Sequence, residues 1–123
     1  MEYGLEVLVL PVSDVDKAKD FYQALGWRLD ANYTGSPDYR VVQLTPPGSA
    51  CSIAIGTGLI DSAPGSLRNL QIVVDDVAAA RKELIERGVK ASEVDVQSWG
   101  SFVTFSDPDG NTWALQQLPD RTG

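Results

Sequence analysis

Apolar positions along this chain fall into short runs and helical stripes that occur twice in the same order. Leu5-Glu6-Val7-Leu8-Val9-Leu10 is rich in branched apolar residues and too short for a stable helix, so it predicts a strand. Ser13 or Asp14 then offers a capping oxygen, and Val15, Ala18, Phe21, Tyr22 and Leu25 share one helical face before Gly26 ends the helix. Trp27 to Tyr33 begins a new extended segment, and Gly35-Ser36-Pro37-Asp38 reads as loop. Tyr39 to Leu44 and Cys51 to Ile55 are two further strands, separated by the turn at Pro46-Pro47-Gly48.

From Leu70 the order begins again. Leu70 to Val74 predicts a strand, and Asp75 or Asp76 caps a helix whose inward face is Val77, Ala80, Leu84 and Ile85, ended by Gly88. Val89 to Val96, Ser101 to Ser106 and Thr112 to Leu118 predict three more strands, the last two joined by the tight turn Asp107-Pro108-Asp109-Gly110. Val12 to Ala18 recurs as Val74 to Ala80, an offset of 62 residues (74 − 12) that also carries Gly26 onto Gly88. The expected fold class is α+β, two tandem βαβββ units within a single domain spanning 1–123. Unit one covers about 1–56, a linker about 57–67 and unit two about 68–119.

The chain has 123 residues with an apolar fraction of 43%, enough for one core without staples. Its net charge of −7 repels phosphate and anionic lipid, which argues against nucleic-acid and membrane partners. Cys51 is the only cysteine, so no internal disulfide forms, and with no spanning segment in the sequence a cytoplasmic location is the default expectation. There is no histidine. Cys51 therefore reads as a small buried apolar residue, and Ser-His or Cys-His nucleophilic catalysis is excluded.

The segments "LPVSDVDKAKDFYQALGW" and "FSDPDGNTWALQ", set in two βαβββ units, resemble the vicinal oxygen chelate superfamily of glyoxalase I, extradiol dioxygenases and bleomycin-resistance proteins. The resemblance implies a curved mixed sheet around a cavity with the helices on its outer face, and a homodimer. It also implies four metal-ligand positions on the first and last strands of each unit, which fall here on Val7, Ala54, Asn69 and Ala114. None is a useful ligand apart from the weak carbonyl oxygen of Asn69, and a catalytic zinc or iron centre ordinarily draws on imidazole. The expectation is no cofactor and no metal.

Strand alternation from those positions places Leu5, Val7, Val9, Ser52 and Ala54 on the cavity side from the first unit. The second unit contributes Asn69, Gln71, Val73, Thr112, Ala114 and Gln116. Gln43 interrupts an apolar run and is a further candidate, Phe102 or Val103 faces the same way, and Trp99 is a stacking or dimer-contact residue. Trp27 and Trp113 read as core, and Tyr39 and Arg40 as a strand edge. Asp14, Asp16, Asp75 and Asp76 read as helix caps or dipole partners, and Asp107 and Asp109 as turn residues. The candidate ligand contacts are thus Val7, Gln43, Ser52, Ala54, Asn69, Gln71, Trp99, Ala114 and Gln116 around a neutral wall. The expected function is metal-independent binding of a planar or aromatic small molecule. The alternatives are a cofactor-independent isomerase, lyase or cyclase on the same scaffold and, further off, a metal-dependent lyase or dioxygenase.

Overall fold

A computed structural model describes residues 1–119 and has the element order anticipated from the repeat. The chain divides into two compact units, each containing a four-stranded mixed sheet and one helix. The first unit holds β1 (Val7–Val9), α1 (Val15–Ala24), β2 (Arg28–Ser36), β3 (Tyr39–Thr45) and β4 (Ser52–Thr57) in the sheet order β1-β4-β3-β2. The second holds β5 (Leu70–Val73), α2 (Val77–Glu86), β6 (Asp95–Gln97), β7 (Gly100–Ser106) and β8 (Thr112–Gln117) in the order β5-β8-β7-β6. In each unit the strand before the helix pairs in parallel with the last strand, and the remaining pairs are antiparallel. Neither sheet is closed.

Helix starts follow from the acidic caps. Asp14 Oδ1 accepts the Lys17 amide at 3.0 Å, and Asp76 Oδ1 accepts the Ala79 amide at 3.1 Å, each satisfying an amide that the first helical turn leaves unpaired. In the first unit α1 buries Ala18 and Tyr22 against Leu10, Val42, Leu44, Ile53 and Ile55, with Trp27 closing the end of the core. The second core is built from Val77, Leu84, Val103, Phe105, Trp113 and Leu115, with the Phe105 and Trp113 rings stacked at 6.5 Å. Trp27 and Trp113 are core residues, as their positions predict.

Several boundaries move. β1 is limited to three residues, leaving Leu5 and Glu6 exposed before it. β2 runs through Gly35 and Ser36, so the expected loop shrinks to Pro37 and Asp38. The predicted strand from Val89 to Val96 reduces to Asp95–Gln97 because Ser92 interrupts the ladder: its amide donates to Thr104 O, but its hydroxyl takes the Thr104 amide in place of a backbone carbonyl. Ile85, expected on the inward helix face, is 46% exposed. Cys51 is half-buried at the start of β4 rather than in the core.

The turn Asp107–Asn111 is sequence-distant yet belongs to the first unit. Asp107 is buried, and its carboxylate accepts four hydrogen bonds. Oδ1 takes the Asp109 and Asn111 amides at 3.0 and 2.9 Å, and Oδ2 takes Tyr22 Oη and Asn111 Nδ2, both at 2.8 Å. Asn111 Nδ2 also donates to Pro11 O at 3.0 Å, which accepts the Gly65 amide as well. Gly65 is required there: its φ is +76°, and a Cβ would lie 1.9 Å from Asp109 O. The turn therefore ties the exit of β1 to the last turn of α1.

All four groups that bond Asp107 are donors matched to a carboxylate that only accepts. Asp107→Asn keeps the shape but aims an amide N–H at another donor, so it should lower stability by about 2–3 kcal/mol, and Tyr22→Phe by about 1 kcal/mol. Urea denaturation checks both, and an Asp107→Asn midpoint equal to wild type would contradict the assignment.

Candidate functional site

Cross-strand register sorts the open face of the first sheet into three rows. Val7 pairs with Ser52, Ser52 lies beside Thr45 one step past the Leu44–Ile53 pair, and Thr45 pairs with Arg28. Two residues along the strands, Val9, Ala54, Gln43 and Ala31 form the second row, and Gly56, Val41 and Tyr33 the third. Leu8, Ile53, Leu44 and Val42 alternate to the opposite side and are covered by α1, as is Arg40, whose Nη2 bonds Asp16 on that helix at 2.9 Å. Asp16 is therefore more than a cap. Four of the expected contacts, Val7, Gln43, Ser52 and Ala54, share the open face.

The first row also contains a charged pair that alternation alone does not reveal. A β-bulge between Leu29 and Ala31 leaves Asp30 as an extra residue opposite no partner. Asp30 turns toward the row: Arg28 Nε donates to its Oδ1, and Thr45 Oγ1 donates to its Oδ2. Thr45 and Ser52 hydroxyl oxygens lie 2.6 Å apart. The hydrogen bond and charge of Arg28, with the Thr45 hydroxyl, hold the Asp30 carboxyl below the ordinary value of 3.8, and Asp30 in turn raises Arg28. The charges cancel, so the row is formally neutral.

In the second unit Gln71 pairs with Ala114, Val73 with Gln116, and Gln116 with Phe102, so these residues share the open face. Phe102 is thus the residue on that side, and Val103 is fully buried beneath it. Gln116 Nε2 donates to Trp99 O at 3.3 Å, drawing the turn that carries Trp99 to the edge of this face, where the residue is 62% exposed. Asn69 departs from the expectation. Its φ of 58° puts it in a left-handed turn before β5, with its amide on Thr112 Oγ1, so strand alternation does not govern its side chain.

The family-type ligand positions Val7, Ala54 and Ala114 offer no donor atom. Among the described residues no group of three or more His, Cys, Asp or Glu lies together. The residues present do not fit a catalytic divalent metal there. A separate cleft of about 300 Å³ opens by Pro11, Val12, Gly56, Thr57, Ile60 and Pro64, and none of the expected contacts borders it.

The profile of the Glyoxalase/Bleomycin resistance protein/Dioxygenase superfamily matches residues 4–115. The chain belongs to that superfamily. TnmS3, described as an antibiotic binding protein from Streptomyces sp. CB03234, is 38% identical, with 96% of this chain and 98% of that one covered at a TM-score of 0.86. A glyoxalase/bleomycin resistance protein from the same organism is 39% identical over 93% of this chain and 100% of its own, at a TM-score of 0.81. YetH of Bacillus subtilis (strain 168) is 24% identical over 109 residues, 86% of this chain and 91% of YetH. No helix among the described residues is long and apolar enough to cross a membrane.

Because the folded Asp30 carboxyl titrates below its unfolded value, its contacts stabilise the fold above the ordinary carboxylate range and are lost as pH falls through the folded pKa. The Asp30 Cγ resonance should titrate below 3.8 and move back toward that value in Arg28→Gln. The stability difference between wild type and Arg28→Gln should vanish in acid below the Asp30 midpoint. A carbon-detected NMR titration with parallel urea melts checks this; a difference constant across the acid range contradicts it.

Proposed function

We propose that this member of the superfamily is a metal-independent small-molecule binding protein that holds a planar or aromatic ligand against the open, formally neutral sheet face. The observation that supports it most is the first sheet's row structure: Val7 and Ala54, at two of the ligand positions the resemblance implies, carry no donor atom, and their register neighbours Ser52 and Gln43 are neutral. The similarity to an antibiotic binding protein points the same way. Val7, Tyr33, Val73, Trp99 and Leu118 are exposed apolar or aromatic residues, and they supply surface for ring contacts and for a second copy of the chain. The working form is a homodimer in the cytoplasm, with Trp99 stacking on the ligand.

A cofactor-independent isomerase, lyase or cyclase would need a proton acceptor on this face. Asp30 is the carboxylate there, and both its oxygens are engaged by donors that keep it ionised, which makes it a weak general base. The binding reading is therefore preferred.

Equilibrium dialysis against 2-naphthol should give saturable binding that exhaustive chelation leaves within twofold, and Trp99→Ala should weaken it about fivefold by removing a stacking partner. Light scattering should return twice the chain mass. Binding or turnover that depends on an added divalent metal sinks the proposal and favours a metal-dependent lyase or dioxygenase.

A further inference from the structure

A continuous hydrogen-bond chain crosses three strands on the open face of the first sheet. Arg28 Nε donates to Asp30, Thr45 Oγ1 donates to Asp30, and Thr45 Oγ1 lies 2.6 Å from Ser52 Oγ. Thr45 and Ser52 are only 5% and 6% exposed, so bulk water does not compete for these hydroxyls. The direction of each bond follows from valence. An ionised carboxylate only accepts, and a threonine hydroxyl has one proton, which is spent on Asp30. The Ser52 proton must then go to Thr45. With that proton committed, Ser52 Oγ turns only lone pairs toward the face it shares with Val7 and, one row on, with Ala54.

We infer that Ser52 is a specificity-determining ligand contact, a fixed hydrogen-bond acceptor that selects aromatic ligands bearing a hydroxyl or N–H donor over ligands that offer only an acceptor. Thr45, Asp30 and Arg28 are positioning residues. The inference rests on the binding function proposed above and names the ligand chemistry at that site. A solvated serine hydroxyl rotates to serve as donor or acceptor and discriminates little. This one is locked from behind. Val7 and Ala54 flank it with apolar side chains, and the burial of Ser52 keeps bulk water from bridging a mismatch. An acceptor-only ligand would set lone pair against lone pair and leave both groups unpaired in a dry place, the arrangement that discriminates most strongly.

The test compares 2-naphthol with 2-methoxynaphthalene, which keeps the ring and the oxygen but lacks the proton. Equilibrium dialysis gives the affinity ratio of the two probes for each protein, so their different hydrophobicity cancels between proteins. The ratio should fall about tenfold from wild type to Ser52→Ala. It should fall severalfold in Thr45→Val, where the Ser52 proton is released to rotate, and return to the wild-type value in Thr45→Ser. An unchanged ratio in Ser52→Ala or Thr45→Val, with binding intact, overturns the inference alone; wild-type protein that binds neither probe overturns it together with the binding function. A measurement on wild-type protein needs no variant to fold: in equal H₂O and D₂O the Ser52 ¹³Cβ resonance should split into two lines, because its hydroxyl proton exchanges slowly. A single averaged line overturns the locked chain.

Discussion

Burial of the Asp107 carboxylate is the constraint around which the first unit is organised. A charge taken out of water is tolerable only when every lone pair finds a donor, and Asp107 meets that condition with two backbone amides, Tyr22 Oη and Asn111 Nδ2. The donors come from two places in the sequence, the turn itself and α1, so satisfying one side chain fixes both pieces of backbone. Tyr22 brings α1, Asn111 carries the link on to Pro11 at the exit of β1, and Gly65 closes against the turn where any side chain would collide. With α1 held by its last turn and β1 by its end, the row Leu8, Ile53, Leu44 is covered on one side. The row Val7, Ser52, Thr45 lies on the other, with Val7 exposed and Ser52 and Thr45 buried.

That division of the sheet gives the open face its chemistry. Perfect alternation would have made it aliphatic and amide-bearing. The bulge at Asp30 adds one residue, and with it a carboxylate that reaches Thr45. Aspartate is a poor strand residue, so its position in an extended segment between Leu29 and Ala31 is more easily understood as the bulge itself than as part of the ladder. Arg28, directly opposite Thr45, neutralises the charge that the bulge introduces.

How much of this was legible in the sequence differs by the range of the interaction. Local signals worked: the Asp14 and Asp76 caps, the helical stripe through Ala18 and Tyr22, and the duplicated order of elements all follow from neighbours within a turn or a strand. Parity also carried Val7, Gln43, Ser52 and Ala54 onto one face, because alternation is rigid once a strand is paired. It failed where backbone geometry departs from a ladder, at the Asp30 bulge, at left-handed Asn69, and at Ser92, whose hydroxyl stands in for a carbonyl. Asp107 was legible as a turn residue and not as a hub, since Tyr22 lies 85 residues away and no spacing rule connects them.

The difference between the two engaged acids, buried Asp107 and exposed Asp30, bears on what the scaffold can do. Asp107 has all its acceptor capacity consumed by the fold and is cut off from any ligand. Asp30 is likewise occupied at both oxygens, but one of its donors is a hydroxyl that passes the constraint on to Ser52 at the open face. A carboxylate meant to take a proton from a substrate needs an affinity for protons near the working pH, and the Arg28 and Thr45 contacts hold Asp30 below the ordinary carboxylate value. What it retains is the ability to orient protons at a distance. A carboxylate used this way supplies direction to a hydrogen bond without entering into chemistry, and that is the property a binding site needs to tell a donor from an acceptor.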